Sequence, residues 1–302
     1  MEIFTKKAIV LPIFLALCFV ALFGCIGLPS QNLQGEQKSA GQQNGAVAEE
    51  AGKAAEEQLG AASESTARTE NVSIEEEIKK TKMKEISFTT KDRWLIYGDI
   101  YYAQTKSPAK AMVLLHQLGM DRKSYSELVP LLQSNFPDYD IIAIDFRGHG
   151  KSTNLGTYQS FVAGDYRAMK NDVEGLTTYL RTIRPTIKEY YLIGSSIGSS
   201  VALDYASKNG DVKKVVMISP GLSYRDYDIS DSARYYLYKL CLAAGFEDRY
   251  SSQSAQTIYE MSPSDSKEIK IYYDNDAHGV ALFDSTKNSD APLAQFVLSC
   301  LR

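Results

Sequence analysis

The apolar residues fall into two patterns. From Glu85 onward, short and continuously apolar runs recur: Ala111–Leu115, Ile141–Ile144, Tyr190–Ile193, Val215–Ile218, Leu240–Ala244 and Ile269–Tyr273. Runs this short, and rich in β-branched residues, suit strands buried on both faces. Between them lie stretches with helical spacing: Tyr125–Ser134, Phe161–Ile183, Ser199–Lys208, Ser251–Met261 and Ala291–Leu301. Pro185 follows the second of these and Asn209-Gly210 the third, and both are helix stops. Strands alternating with helices predict βαβ units and a mainly parallel sheet of about eight strands. Ile86–Thr89 and Trp94–Tyr102 read as two further strands around a turn at Lys91-Asp92, antiparallel additions at one edge. No internal repeat is present.

The N-terminal part reads differently. Lys6 and Lys7 precede an almost unbroken apolar run from Ala8 to Phe23, followed by Gly24-Cys25. A basic start, a short apolar run and small residues at its exit are the grammar of an export signal. Leu22-Phe23-Gly24-Cys25 resembles a lipobox, which implies cleavage before Cys25 and lipid on its thiol; Phe23 stands where a small residue is usual. The alternative is an uncleaved anchor over residues 8–28, about long enough to span a bilayer. Either way the expectation is an exported protein held at the outer face of the cytoplasmic membrane, with Lys6 and Lys7 inside. Residues 26–82 are rich in Gln, Gly, Ala, Glu and Ser, and no aromatic residue occurs between Phe23 and Phe88. Such a stretch buries too little apolar surface to offset chain entropy and reads as a tether. The predicted division is thus 1–25 signal or anchor, 26–82 tether and 83–302 folded domain, a normal size for one core.

Composition narrows the function classes. Of the 302 residues, 44% are hydrophobic, enough for a sizeable core, and the net charge of −4 points to no nucleic-acid partner. The four cysteines, Cys18, Cys25, Cys241 and Cys300, show no metal-ligand spacing. Cys241 falls in an expected core strand and Cys300 in the expected last helix, so both are read as buried free thiols.

The sharpest signal is Gly194-Ser195-Ser196-Ile197-Gly198, a G-x-S-x-G pentapeptide between the run Tyr190–Ile193 and the helical stretch that follows. A turn this tight strains the backbone of its central residue and leaves room only for glycine at the flanks. It lifts the Ser196 hydroxyl to the carboxyl edge of the sheet, beside the N–H groups of a helix N-terminus. Ser196 is therefore the candidate nucleophile. A plain glycine-rich phosphate loop is the other reading, but G-x-G-x-x-G and G-x-x-x-x-G-K-[ST] patterns are both missing at this turn, and no cofactor is expected.

Of three histidines only His278 follows Ser196, in a loop beyond the run Ile269–Tyr273, where a catalytic base belongs in an open sheet. A base of this kind needs an orienting carboxylate between nucleophile and histidine in chain order. Asp248 in Gly245-Phe246-Glu247-Asp248 is the candidate, with Glu247 as alternative. Leu118, in the loop His116-Gln117-Leu118-Gly119, and Ile197, after the nucleophile, are the candidate oxyanion donors through their backbone N–H groups. His116, Arg147 and His149 are read as structural. Tyr224, Tyr227 and Tyr235 are expected to line the site.

Together, His116–Gly119, Asp145–Ser152, Gly194–Gly198, Gly245–Asp248 and His278-Gly279 resemble the motifs of α/β-hydrolases, in order and in strand position, over about residues 85–302. Within that superfamily the chain is similar to monoacylglycerol lipases, serine aminopeptidases and dienelactone hydrolases. Gln117 departs from the glycine usual there. The resemblance implies a serine hydrolase acting on small acyl substrates, esters first, with short peptides as the rival substrate and an idle binding module as the non-enzymatic alternative. Ser219–Lys239 leaves space for one helix, centred on Ser232–Tyr238, and for no large lid domain.

Overall fold

The computed structural model describes residues 83–284 and 292–302. The expected signal or anchor with Cys25, and the tether over 26–82, lie outside the described residues. Among the described residues no helix is long and apolar enough to cross a membrane.

The chain opens with β1 (Met83–Thr89), β2 (Leu95–Tyr101) and β3 (Lys110–Leu115), followed by α1 (Leu128–Asn135) and β4 (Tyr139–Ile144). Next come α2 (Ala163–Ala168), α3 (Lys170–Ile183), β5 (Glu189–Ser195), α4 (Ile197–Ala206) and β6 (Val212–Ile218). A small hairpin of β7 (Ser223–Tyr224) and β8 (Tyr227–Asp228) leads to α5 (Ser230–Tyr235). Then follow β9 (Lys239–Gly245), α6 (Arg249–Met261), β10 (Lys267–Tyr272) and α7 (Leu293–Leu301). The main sheet has eight strands in the order β1-β2-β4-β3-β5-β6-β9-β10. β1 pairs antiparallel with β2, and β2 antiparallel with β4; the remaining pairs are parallel.

The continuous apolar runs serve two cores at once, because side chains alternate across a strand. In β3, Ala111, Val113 and Leu115 join one core, with Val173, Leu176 and Val201 of α3 and α4. Met112 and Leu114 join the other, with Leu132 of α1 and Val297 of α7. The sheet is thus covered on both faces, as uniformly apolar strands require.

Three sequence expectations need correction. The long helix over Phe161–Ile183 is two helices. Phe161 stays extended, and around Met169 the bonds Met169 N–H to Tyr166 O and Asp172 N–H to Met169 O are of the tighter i−3 type. Tyr125–Ser134 is a 3-10 turn, Arg122–Tyr125, followed by α1. Cys241 and Cys300 are not free thiols but form a disulfide, with Cα atoms 6.3 Å apart. Strand alternation turns Cys241 to the face covered by α7, where Cys300 is also buried. Closing a loop of 59 residues stabilises the fold by about 4 kcal/mol on chain-entropy grounds. The connection from β6 to β9 holds only the hairpin and α5, without a lid domain.

Candidate active site

Ser196 stands between β5 and α4 with φ 51° and ψ −120°, a left-handed conformation costly for a residue with a side chain. Sterics explain the flanking glycines. A Cβ on Gly194 would lie 2.4 Å from the Gly198 carbonyl oxygen, and one on Gly198 would lie 2.2 Å from that of Leu115. The strained turn is held by the Ser196 N–H, which donates to Ile218 O at 2.8 Å.

Three strand ends bring the candidate groups together. Ser196 follows β5, Asp248 follows β9 and His278 follows β10, all at the carboxyl edge of the sheet. His278 Nε2 lies 2.8 Å from Ser196 Oγ, and His278 Nδ1 lies 2.7 Å from Asp248 Oδ2. A carboxylate only accepts, so Nδ1 carries the proton and Nε2 turns its lone pair to the serine hydroxyl. Burial alone would raise the Asp248 pKa. Hydrogen bonding from His278 and Ser251 outweighs it and holds the carboxyl below its ordinary range. Glu247, the alternative acid, instead pairs with Arg249 at 2.8 Å on the surface.

Ser196, His278, Leu118 and Ile197 line one cavity of about 220 Å³. Ile197 is the first residue of α4, so its N–H is one of the four that a helix leaves unpaired. Of the tyrosines expected here, Tyr224 lines the cavity. Tyr227 is buried and donates to Asp204, and Tyr235 faces solvent. Tyr250, which the sequence reading overlooked, takes their place from the first turn of α6. Its position two residues beyond the candidate acid was the available signal.

The motif residues read as structural, His116, Arg147 and His149, are all buried. The buried Arg147 guanidinium pairs with Asp92 and Asp172, and His149 stacks on Tyr158 with ring centroids 4.4 Å apart. His116 Nδ1 donates to Gln117 O at 2.7 Å while Nε2 accepts from the Phe146 N–H at 3.0 Å. Acceptance at Nε2 requires the neutral imidazole, since a protonated ring can only donate, and burial pushes the His116 pKa down to about 3. The unfolded chain, with its histidine pKa near about 6.5, therefore binds the proton first as acid is added. Between those values the unfolded state holds more protons, so stability is lost as the pH is lowered, by up to about 1.4 kcal/mol per unit. Urea unfolding at pH 7 and pH 5 is expected to show this loss, with a shallower slope in His116→Asn. An unchanged slope in that variant would exclude His116 as its source.

Among the described residues, Cys241, Glu268 and Cys300 could group around a metal ion, but the disulfide removes the thiolates such an ion needs.

Comparisons with known proteins bear on the fold that carries this site. Residues 110–250 match the family profile described as the alpha/beta hydrolase fold. A protein of Acanthamoeba polyphaga mimivirus, L404, described as an α/β-hydrolase candidate, is 33% identical over 119 residues. That match covers 37% of this chain and 40% of the viral one, so the similarity spans about two fifths of that relative's length. The Pyrococcus furiosus esterase Pf2001 superposes with a TM-score of 0.58 at 20% identity, covering 72% of this chain and 91% of the esterase. A dienelactone hydrolase from Anabaena variabilis gives 0.57 at 15% identity, over 73% and 98% of the two chains. By its sheet order, its family match and these neighbours, the chain has the α/β-hydrolase fold.

Proposed function

We propose that the protein is a serine hydrolase that cleaves carboxylic esters or related acyl bonds of small substrates through an acyl-enzyme on Ser196. The observation that carries this reading is the chain of contacts from Asp248 through His278 to Ser196, at 2.7 and 2.8 Å. As Ser196 Oγ attacks the acyl carbon, His278 Nε2 takes its proton, and the positive imidazolium is stabilised by the Asp248 carboxylate. The oxyanion is received by the N–H groups of Leu118 and Ile197. His278 returns the proton to the departing alcohol, and water then releases the acid by the same route in reverse. The cavity of about 220 Å³ favours short acyl groups. The esterases and the dienelactone hydrolase that share the fold make esters the first substrates to try. The test is labelling with a fluorophosphonate probe, located by mass spectrometry, followed by p-nitrophenyl esters of increasing chain length. Labelling at Ser196 with turnover best on short esters is expected; no labelling at Ser196 would reject the reading.

The reading extends to location. The protein works outside the cell, tethered at the membrane by a lipid on Cys25, and the Cys241–Cys300 disulfide suits such an oxidising compartment. Two acyl chains on one cysteine anchor stably without a spanning helix. Cys25→Ser is expected to release protein to the medium or to leave an unprocessed precursor, read by fractionation and mass. Unchanged mass and membrane association would instead assign residues 8–28 as an uncleaved anchor.

A further inference from the structure

Resting on the Ser196 site just described, we propose that Gln117 is its positioning residue: its side-chain oxygen clamps the loop carrying His278 onto the turn carrying Ser196. His278 needs such a clamp. Its side chain is 44% exposed, so packing does not fix its place. The loop around it is irregular, with positive φ at Asp274 and Gly279. The two N–H groups after His278 are instead held by side chains from other strand ends. Gly279 donates to Ser219 Oγ at 2.9 Å and Val280 donates to Gln117 Oε1 at 2.8 Å.

The same Gln117 oxygen accepts from Ser195 Oγ at 2.9 Å. Ser195 is buried, ends β5 and is bonded directly to Ser196. One oxygen thus joins the loop after β3, the nucleophile turn and the histidine loop, with each of its two lone pairs engaged. The Val280 N–H can only donate, which fixes the amide with its oxygen on this side. The fit is close: a Cβ on Gly279 would lie 1.8 Å from Gln117 Oε1 and 2.7 Å from Ser195 Oγ. Gln117 also borders a second cavity on the Met120, Val280 and Phe283 side. The glycine usual here in the proteins this chain resembles has no side chain with which to make it.

The consequence concerns alignment more than binding. Misplacing a reacting group by about 1 Å can cost on the order of a hundredfold in rate. In the full-length protein, Gln117→Met keeps side-chain length but loses the acceptor. It is expected to lower kcat about 10- to 100-fold with KM within about twofold, and to lower thermal stability modestly because the Ser195 hydroxyl and the Val280 N–H lose their acceptor. Gln117→Glu restores the acceptor and should recover most of kcat. Combining Gln117→Met with Ser195→Ala should cost no more than Gln117→Met alone, because both cut the same tie. Proton NMR supplies a readout that does not need turnover: the His278 Nδ1 proton shared with Asp248 should broaden or exchange faster in Gln117→Met. Wild-type kcat in Gln117→Met, a loss confined to KM, or an unchanged Nδ1 signal would each overturn the clamp. A wild type that neither labels at Ser196 nor hydrolyses esters would reject the hydrolase reading, while the NMR comparison still decides the clamp.

Discussion

Ser196→Ala is expected to abolish probe labelling and to lower ester turnover by on the order of 10⁴- to 10⁶-fold, while the protein stays folded. The two parts of this expectation have separate grounds. The hydroxyl lies 2.8 Å from His278 Nε2, so in the proposed mechanism its removal takes away the attacking atom and leaves the base without a proton to accept. The backbone conformation, φ 51° and ψ −120°, is as strained for alanine as for serine, so folding stability changes little. The steric demands at Gly194 and Gly198 and the bond from the Ser196 N–H to Ile218 O are also untouched. Circular dichroism and urea unfolding check the fold, and active-site titration checks the chemistry. The neighbouring Ser195 is a poor substitute, because its hydroxyl is buried and donates to Gln117. Equal labelling of wild type and Ser196→Ala would therefore move the nucleophile out of this turn altogether.

Asp248→Asn should come next in size, with kcat lower by about 10³- to 10⁴-fold and the fold intact. Asp248 holds the proton of His278 on Nδ1, which leaves the Nε2 lone pair free for Ser196. An amide can offer an N–H to Nδ1 instead, and the imidazole then carries its proton on the wrong nitrogen. The negative charge that stabilises the imidazolium is lost as well. Glu247→Gln is the matched control. Glu247 faces Arg249 at the surface, so that variant should remain within about twofold of wild type. Steady-state kinetics on a short p-nitrophenyl ester separates the two carboxylates. A large loss in Glu247→Gln with a small one in Asp248→Asn would reverse the assignment.

Much of the architecture was legible because it depends on local pattern. The apolar runs Ala111–Leu115 and Leu240–Ala244 could hardly be anything but buried strands, and their alternation with helices implied the parallel sheet. The Ser196 turn was legible for a stronger reason: its sterics admit glycine and little else at two positions, so the constraint is written into the residues themselves. With only three histidines and one beyond the turn, His278 followed by elimination. Asp248 and Glu247 are adjacent carboxylates that differ only in which way the chain turns them, and the tertiary structure sets Asp248 against His278 and Glu247 against Arg249.

What the sequence left undecided are pairings between distant segments that carry no local signature. Cys241 and Cys300 each looked like an ordinary buried thiol, and their union depends on which sheet face α7 covers. The run Phe161–Ile183 has helical spacing throughout, yet the chain breaks at Met169. Tyr227, expected at the site, instead turns its hydroxyl to Asp204, and Tyr250, which carried no expectation, lines the cavity. Gln117 was visible only as a departure from glycine, and its meaning lies in a hydrogen bond to Val280, 163 positions away. Short-range sterics and strand or helix periodicity act within a few residues and can be read along the chain. Hydrogen bonds and disulfides between loops depend on how whole elements pack, and only the tertiary structure decides them.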